Sequence, residues 1–547
     1  MTGNSKRIRG LTKCWVMIIL AAFIMIAGCS SNSIYSGSTG HSSEGPEKTV
    51  TVAISADPGI DQLDAGAYKG SMSVHAMIYD GLVEYGEKGS ILPALAESWD
   101  ISEDGKVYTF HLRHGVKFSD GTDCNAAAVK FSFERWIKDP ANSLNLATAM
   151  QSMDVVDDHT LTMTFNKAYY PFLTELSFAR PVRIISPSAV EPAGDVAGKF
   201  IKAVGTGAWM AESYKKDQEA VLVRNPYYWG EAPKLSKMIL KVIPDPQSRV
   251  LALQSGDVDI AGGQSGKLPA ESVPVIEGDT SLSLQKAPGT NSHFMIFNYN
   301  TPALQDLNVR KAINLAINKK SIINDLLEGT GSEAKGLFPL TVPYVTDQNN
   351  TWYGFDPDEA KQLLAAAGYS DSNGDGRVEK DGTPLELSFV LQQAEFPEWK
   401  SVSELIQSEL KAIGITVNLQ ILEPNAYYDA LWTTKAYDLI MYRTYDDAYN
   451  PHAFLLSLFH KTAEAPAVVW PDAELESFID TAVGSTDLQV RQKAYDSIFG
   501  KLYEEAMFGA LYFPDEVMAV NKRVKGFKLG YTTFTPVFWN QLDVGEE

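Results

Sequence analysis

The sequence predicts an α/β protein with two or three domains. The chain has 547 residues, which is too long for one hydrophobic core because domains most often contain about 100–150 residues. Short segments with strand-like alternation are interleaved with segments of helical periodicity, and this succession is typical of α/β folds. The sequence has no internal repeat with a period of about 20–50 residues, which excludes a solenoid.

The N-terminus carries a predicted export and anchoring signal. Basic residues precede an apolar run at 15–26, which is shorter than the roughly 20 residues that a membrane-spanning helix needs. The run ends in Ile26-Ala27-Gly28-Cys29, which resembles the bacterial lipobox. We therefore predict a lipoprotein signal peptide at 1–28, lipidation of Cys29 and a flexible, Ser/Gly-rich tether at 29–47. An ordinary signal peptide that happens to carry a cysteine is the alternative.

Five later segments are predicted as strands. In four of them apolar residues alternate with polar ones, as in strands that are buried on one face. The segment 238–243 is almost continuously apolar, and we expect it to be buried on both faces. The predicted strands lie at 50–54, 108–112, 161–165, 238–243 and 415–421.

Three segments are predicted as amphipathic helices, at 309–317, 360–367 and 403–413. Gly368 and Gly414 follow the second and third of them, where a glycine favours the end of a helix. Domain junctions are expected near Ala287-Pro288-Gly289 and Tyr512-Phe513-Pro514, because each combines an apolar stretch with a proline break.

Charge and cysteine content exclude several classes of protein. Lys and Arg total 47 and Asp and Glu total 68, so the net charge is -21. This balance argues against nucleic-acid binding, which requires an excess of basic residues. Three cysteines, Cys14, Cys29 and Cys124, are too few for a disulfide-rich scaffold or a Cys-rich zinc cluster.

The sequence carries no motif of an enzyme active site that we recognise. A Walker loop, a dinucleotide-binding glycine fingerprint and a nucleophile elbow are all absent. A hydrolase that uses Asp446 and Asp447 remains a rival, although adjacent carboxylates diverge in an extended segment. His111 and His114 are three apart, so in a strand they would point to opposite faces, and we interpret them as surface residues. The prediction is a protein without catalytic activity.

One loop resembles the first half of a calcium-binding loop. Asp371, Asn373 and Asp375 supply oxygen atoms at positions one, three and five, and Gly376 occupies the position of the sharp turn. The twelfth position, where a bidentate glutamate is expected, is Gly382. A structural calcium ion and a simple Gly/Asp-rich hairpin are both open interpretations.

Several motifs together resemble the extracellular solute-binding proteins, family 5, of peptide and nickel ABC importers. The resemblance covers the chain from residue 48 onward. The motifs are Leu95-Ala96-Glu97-Ser98-Trp99, Ser102-Glu103-Asp104-Gly105-Lys106, the segment 110–121, Phe131-Ser132-Phe133-Glu134-Arg135, Gly205-Thr206-Gly207, Arg224-Asn225-Pro226, Leu253-Gln254-Ser255-Gly256 with Asp257-Val258-Asp259, and Val309-Arg310-Lys311-Ala312.

The resemblance implies a two-lobed, hinged fold like that of the periplasmic binding proteins, which encloses its ligand when the lobes close. Lobe I is expected at 48–287 with an inserted subdomain at about 90–200, lobe II at 288–511, and a C-terminal return to lobe I at 512–547. It further implies a monomeric, extracytoplasmic protein that is lipid-anchored to the cell membrane and delivers its cargo to ABC permease subunits.

Two segments resemble the nickel-binding branch of this family, namely 168–181 and 442–455. That resemblance implies a cargo of nickel, or a similar divalent metal, held in a carboxylate-bearing metallophore. Arg180 is expected to clamp the carboxylates of the ligand, since a planar guanidinium suits that contact. Tyr445, Tyr449 and Met72 are expected to line the pocket, and His460 to reach the metal.

The sequence departs from the nickel-binding pattern at several positions. Tyr445 replaces a tryptophan, a second pocket tryptophan is replaced near Ser143, and His460 aligns with the metal-binding histidine only across a gap. The alternative is a dipeptide or oligopeptide receptor. Peptide receptors of the family fix the α-amino group of the ligand with an aspartate, and the corresponding position here is Ala448. The identity of the metal and of the chelator stays open.

Overall fold

The computed structural model describes residues 47–67, 69–139, 149–178, 182–445, 449–460 and 467–545. The predicted signal peptide, Cys29 and the tether up to residue 46 lie outside the described residues. From Glu47 onward the chain forms one compact unit.

A sheet of twelve strands runs through this unit. The twelve strands are β1 Thr49–Ile54, β10 Trp209–Lys215, β11 Glu219–Arg224, β12 Lys237–Val242, β13 Ile260–Gly262, β14 Leu282–Pro288, β15 His293–Phe297, β16 Gly331–Glu333, β19 Glu386–Leu391, β20 Thr416–Ile421, β21 Leu439–Arg443 and β22 Phe508–Asn521. Ten of them follow the order β10-β11-β12-β1-β13-β22-β15-β21-β19-β20, and β14 and β16 also pair with β22.

The other described strands form smaller sheets. A four-stranded antiparallel sheet has the order β4-β5-β7-β6, with β4 Ala96–Ile101, β5 Val107–Leu112, β6 Met150–Asp157 and β7 Thr160–Phe165. Short pairs are formed by β2 Val83–Tyr85 with β3 Ile91–Pro93, β8 Val190–Glu191 with β9 Lys199–Phe200, β17 Glu379–Lys380 with β18 Thr383–Pro384, β23 Val524–Lys525 with β26 Asp543–Val544, and β24 Leu529–Thr532 with β25 Thr535–Val537.

The described helices cover the sheets. They are α1 Met72–Ile78, α2 Ala126–Lys138, α3 Phe172–Ser177, α4 Pro246–Ser255, α5 Val273–Gly278, α6 Leu307–Leu315, α7 Lys319–Ser321, α8 Pro357–Ala366, α9 Trp399–Ala412, α10 Pro424–Asp429, α11 Pro451–Phe459, α12 Ala473–Gly484 and α13 Leu488–Glu504. The α9 helix connects the parallel strands β19 and β20, as a crossover between parallel strands requires.

Two large hydrophobic cores divide the compact unit. The first core is built from residues between Val50 and Ile260 together with residues between Met518 and Leu542. The second core is built from residues between Phe294 and Phe513. The sequence separation within the first core shows that the chain leaves it, builds the second core, and returns. The predicted domain boundaries themselves stay a prediction.

Strand β22 belongs to both cores. Its first half pairs with β15, where His293 lies opposite Tyr512. Its second half pairs with β13 and β14, where Pro288 lies opposite Asp515. The first core therefore ends and the second begins within a few residues of this strand. The segment that links β14 to β15 crosses between the cores beside the same residues.

The predicted strands and helices are confirmed, with two corrections to their burial. In β20 the apolar face that was expected to be buried is only partly covered, since Ile421 is 47% exposed. The segment 238–243 was expected to be buried on both faces, but in β12 only Met238 and Leu240 are fully buried, while Ile239 is half-buried. The reason is that β12 lies near the edge of the sheet, between β1 and β11, so one of its faces is only partly covered.

Candidate ligand-binding site

The parallel strands of both cores end at the boundary between the cores. In the first core the C-terminal residue of β13, Gly262, lies opposite Met518, and β1 runs parallel to β13. In the second core Arg443 at the end of β21 lies opposite His293, and β19 runs parallel to β21. Ligands of open α/β sheets bind outside the C-terminal ends of parallel strands, so this boundary is the candidate ligand-binding site.

An aromatic cluster joins the two cores beside the candidate site. Tyr85, Phe178 and Tyr449 pack together and are each at most 8% exposed. The Tyr449 ring meets the Tyr85 ring edge-on at 4.9 Å between centroids, and its hydroxyl donates to the carbonyl of Tyr531 over 2.9 Å. The Phe178 ring meets the Phe534 ring at 5.1 Å. Residues from three other parts of the chain thus converge around Tyr449.

The Tyr449 ring packs closely against the turn at Gly89. A Cβ atom at Gly89 would lie 2.9 Å from the Tyr449 ring, and Gly89 also has a φ of +75°, so this turn requires glycine. Burial, together with the neighbouring Tyr531 and Glu87, raises the pKa of Tyr449 above its ordinary value. The phenol therefore stays neutral and acts as a hydrogen-bond donor.

The other predicted pocket residues have mixed placements. Tyr445 is half-buried, packs edge-on against Phe454 at 5.0 Å between centroids and donates to Ser457 Oγ over 2.8 Å. Met72 is half-buried and is the first residue of α1. Arg180 lies outside the described residues, as do the departures at Ser143 and Ala448 and the pair Asp446 and Asp447. Phe178 is the described residue that precedes the Arg180 segment.

His452, in the nickel-like segment 442–455, and His460, which lies beyond it, have different surroundings. His460 follows α11, and its Nε2 lies 3.2 Å from Asp480 Oδ1 on α12. His452 is 2% exposed, and its Nε2 lies 3.3 Å from Oε1 of Glu175, a residue of α3 in the other half of the unit. Metal ligation by His460 stays a prediction.

The calcium-like loop satisfies its own acidic residues. Asp371 accepts hydrogen bonds from the backbone N–H groups of Gly374, Asp375 and Gly376 at 2.7–3.1 Å. Asn373 Oδ1 accepts from the N–H of Asp375, and Asp375 Oδ1 accepts from the N–H of Arg377. These hydrogen bonds give the oxygen atoms of Asp371, Asn373 and Asp375 partners within the loop itself. A structural calcium ion at this loop stays a prediction.

Three histidines surround an open surface cavity on the four-stranded sheet. His111, His114 and His159 line a cavity of about 550 Å³, and the rings of His114 and His159 stack at 3.8 Å between centroids. The interpretation of His111 and His114 as surface residues is confirmed, since the His111 side chain is 40% exposed and His114 is exposed. They do not point to opposite faces as two residues of one strand would, because β5 ends at Leu112 and His114 lies in the turn that follows. In the described part of the chain no group of three or more His, Cys, Asp or Glu side chains could hold a metal ion.

Sequence reasoning missed the partners of Tyr449. Tyr85, Phe178, Tyr531 and Phe534 carry no local pattern that links them, since they come together only through the return of the chain to the first core.

Within the described ranges, no helix combines the length and the apolar character that are needed to cross a membrane.

The chain is similar in sequence to known solute-binding proteins. The family profile described as "Bacterial extracellular solute-binding proteins, family 5 Middle" matches residues 90–466. The nickel-binding periplasmic protein of Escherichia coli (strain K12) is 35% identical over 474 residues, which cover 85% of this chain and 88% of that protein. The probable D,D-dipeptide-binding periplasmic protein DdpA of the same organism is 28% identical over 463 residues, which cover 82% and 85%.

The crystal structure of NikA from Brucella suis in complex with Fe(III)-EDTA is similar over 91% of this chain and 100% of that chain. Its TM-score is 0.84 and its sequence identity is 30%. The two cores described above correspond to the two lobes of such periplasmic binding proteins, so the predicted two-lobed α/β fold is confirmed. We call the lobes that contain the first and second cores lobe I and lobe II.

Proposed function

Because the chain belongs to the bacterial extracellular solute-binding proteins, family 5, and is the substrate-binding protein of an ABC importer, we propose that it captures nickel or a similar divalent metal in a small carboxylate-bearing chelate. The main support is the 35% identity with a nickel-binding relative over most of both chains. Proteins of this family are binders that work with ABC permeases, and they are not enzymes.

We propose that the chelate sits between the lobes, at the ends of the parallel strands. The NikA structure, which carries Fe(III)-EDTA, supports a ligand of this chemistry. Arg180 would clamp the carboxylates of the chelator, and Tyr445, Tyr449 and Met72 would line the pocket. Since the described residues offer no group of three metal ligands, the chelator would supply most of them, with His460 as the candidate protein ligand.

Calorimetry tests the cargo with nickel–EDTA, nickel–histidine, bare nickel chloride, Ala-Ala and tri-alanine as probes. Strong binding of a nickel chelate and weak binding of bare nickel are expected. A bidentate contact to a charged group contributes about 1.5–3 kcal/mol, so Arg180→Ala should weaken the chelate roughly ten- to a hundredfold. The matched control is Arg377→Ala, because Arg377 is half-exposed and pairs with Asp375 and Glu386 in a hairpin.

A peptide cargo is the second candidate, because the D,D-dipeptide-binding relative covers nearly as much of the chain. Tight binding of Ala-Ala or tri-alanine without any response to the nickel chelates would establish it and would overturn the metal proposal. An equal effect of Arg180→Ala and Arg377→Ala on chelate binding would remove Arg180 from the site and leave the cargo unchanged.

We further propose that Cys29 is the lipidated N-terminus of the mature protein. Stable membrane anchoring requires two or more acyl chains, which a diacylglyceryl-modified cysteine carries. Cys29→Ala should release the protein from the membrane fraction into the soluble extracytoplasmic fraction, with Cys124→Ala as the control that stays anchored. Retention of the Cys29→Ala protein in the membrane fraction contradicts the proposal.

A further inference from the structure

Tyr170 lies in the short segment between β7 and α3, in the inserted part of lobe I. Its neighbours Tyr169 and Phe172 are buried in the core of lobe I. Its own ring instead contacts residues of lobe II. Tyr170 is therefore a side chain of one lobe that is inserted into the other.

The contacts of the Tyr170 ring are specific. The guanidinium carbon of Arg491 lies over the ring, 4.2 Å from its centroid. The hydroxyl lies 3.1 Å from the hydroxyl of Tyr495. The rings of His452 and Tyr344 meet it edge-on at 6.1 and 6.4 Å between centroids. A cation over an aromatic face and edge-to-face ring pairs are both attractive arrangements.

Tyr344, Arg491 and Tyr495 of lobe II form a receptacle for the Tyr170 ring. Contacts within lobe II hold these three residues in place. The rings of Tyr344 and Tyr495 stack at 4.3 Å with 10° between their planes. Arg491 donates from Nε to the hydroxyl of Tyr344 over 2.9 Å and from Nη1 to the carbonyl of Ser485 over 3.0 Å. Gln492 Nε2 donates to the carbonyl of Tyr344 over 2.9 Å. None of these bonds involves lobe I, so the receptacle does not need Tyr170 in order to form.

A second contact between the lobes lies directly beside the first. Glu175 Oε1 accepts the hydroxyl proton of Tyr169 over 2.6 Å and also lies 3.3 Å from Nε2 of His452. The contacts of Tyr170 and of Glu175 with lobe II therefore both start from the segment 169–175 of lobe I. Neither includes Tyr449 or its aromatic cluster.

We propose that Tyr170 is a latch for lobe closure, and that its insertion between Tyr344, Arg491 and Tyr495 sets how much of the protein is closed before cargo arrives. When the lobes separate, the Tyr170 ring leaves the receptacle and both surfaces meet water. A ligand that binds the closed form has an apparent dissociation constant equal to the intrinsic constant divided by the closed fraction. Tyr170 therefore controls affinity without touching the cargo. This inference rests on the proposed function, in which the cargo sits between the lobes, and on the lobe closure that the family resemblance implies.

Small-angle scattering of residues 47–547, which form one compact unit, measures the latch without any cargo. In Tyr170→Ala the ratio of closed to open protein should fall about tenfold, equivalent to 1.4 kcal/mol, and the radius of gyration should rise. Tyr170→Phe keeps the ring under Arg491 and loses only the hydroxyl contact, so it should stay near the wild-type radius. Tyr227→Ala is the matched control, because Tyr227 is a lobe I tyrosine that is 46% exposed.

Calorimetry with the strongest-binding probe supplies the second readout. Tyr170→Ala should weaken binding by the same factor by which it lowers the closed fraction, whereas thermal unfolding reports separately whether the variant is folded. If cargo shrinks the radius in the wild type but folded Tyr170→Ala and wild type have equal radii without cargo, the latch is wrong and the proposed function stands. If cargo changes the radius in neither protein, closure itself is wrong, and the latch is wrong with it.

Discussion

Asp259 shows how a single buried residue attaches the end of the chain to lobe I. Its carboxylate is 1% exposed and accepts hydrogen bonds from Nε and Nη2 of Arg523 at 2.5 and 2.6 Å. It also accepts the backbone N–H of Thr51 over 2.8 Å. One side chain thereby connects β1, β13 and the residues after β22. Within the motif Asp257-Val258-Asp259, it is the third residue that makes these contacts.

Asp259→Asn should destabilise the protein by about 3 kcal/mol, the lower end of the range for breaking a buried pair, because Arg523 is partly solvated. The free energy of unfolding from urea titration is the measurement. Asp257→Asn is the matched control, since Asp257 stands in the same motif and is exposed; its stability should equal that of the wild type. Equal stability of both variants would contradict the assigned role of Asp259.

At the site, sequence reasoning identified single residues and could not identify their partners. Tyr449 was predicted from a motif, and it lies where lobes I and II meet. Its partners Tyr85, Phe178 and Tyr531 lie far apart in the sequence. They come together only because the chain returns from lobe II to lobe I, and such a return leaves no periodicity in the sequence. The calcium-like loop shows the same limit, because spacing suggests oxygen ligands and cannot reveal that backbone N–H groups already occupy the Asp371 carboxylate.

At the scale of elements, the two glycines of the segment Gly205-Thr206-Gly207 have a packing role, and the segment is not a phosphate-binding loop. The segment passes the C-terminal end of α1, where the N–H of Gly207 donates to the carbonyl of Ile78 over 2.9 Å. A Cβ atom at Gly205 would lie 2.1 Å from that same oxygen. Thr206 Oγ1 donates to the half-buried carboxylate of Asp80 over 2.9 Å. Glycine is required here for the close approach of two backbone segments.

Gly205→Ala should therefore destabilise lobe I by at least about 1–3 kcal/mol, the usual cost of overpacking a core. The contact is with backbone, which cannot rotate away as a side chain could. Gly354→Ala serves as the control, because a Cβ atom there would have no heavy atom within 4 Å. Thermal unfolding that shows the same midpoint for both variants would contradict this explanation of the motif.

The strands and helices were largely predictable because each carries its own periodicity. The alternating pattern of β5, with Tyr108, Phe110 and Leu112 buried, survives in the fold unchanged. The burial of β12 was not predictable, since it depends on which strands become its neighbours. Likewise, the position of His114 depends on where β5 ends, and hydrophobic periodicity locates the boundaries of elements poorly.

For the molecule as a whole, each lobe contains a buried neutral histidine. His75 on α1 is 3% exposed, and burial lowers its pKa to about 4. His293, at the passage between the lobes, is 1% exposed, and burial lowers its pKa well below the ordinary value. Its Nδ1 accepts the indole N–H of Trp399 over 2.7 Å, and an indole nitrogen can only donate. Protonation of Nδ1 would break that bond.

These histidines predict a loss of stability in mild acid. The unfolded chain protonates His75 near pH 6.5, whereas the folded chain protonates it only near pH 4. Between these values the unfolded state binds more protons, so stability rises with pH and falls as pH is lowered. Between pH 7 and pH 5 the contribution of His75 amounts to about 2 kcal/mol by this linkage. Urea unfolding at the two pH values measures the whole difference, to which His293 adds with the same sign.

His75→Gln isolates one of these contributions, because an amide can still donate to the carbonyl of Lys69, which His75 Nε2 contacts at 3.1 Å, and does not titrate. The stability difference between pH 7 and pH 5 should shrink by about 2 kcal/mol in this variant. The wild-type protein measured at the same two pH values is the reference for this comparison. A difference that is as large in His75→Gln as in the wild type would show that His75 is charged in the folded protein at pH 5, and that the acid sensitivity originates elsewhere in the fold.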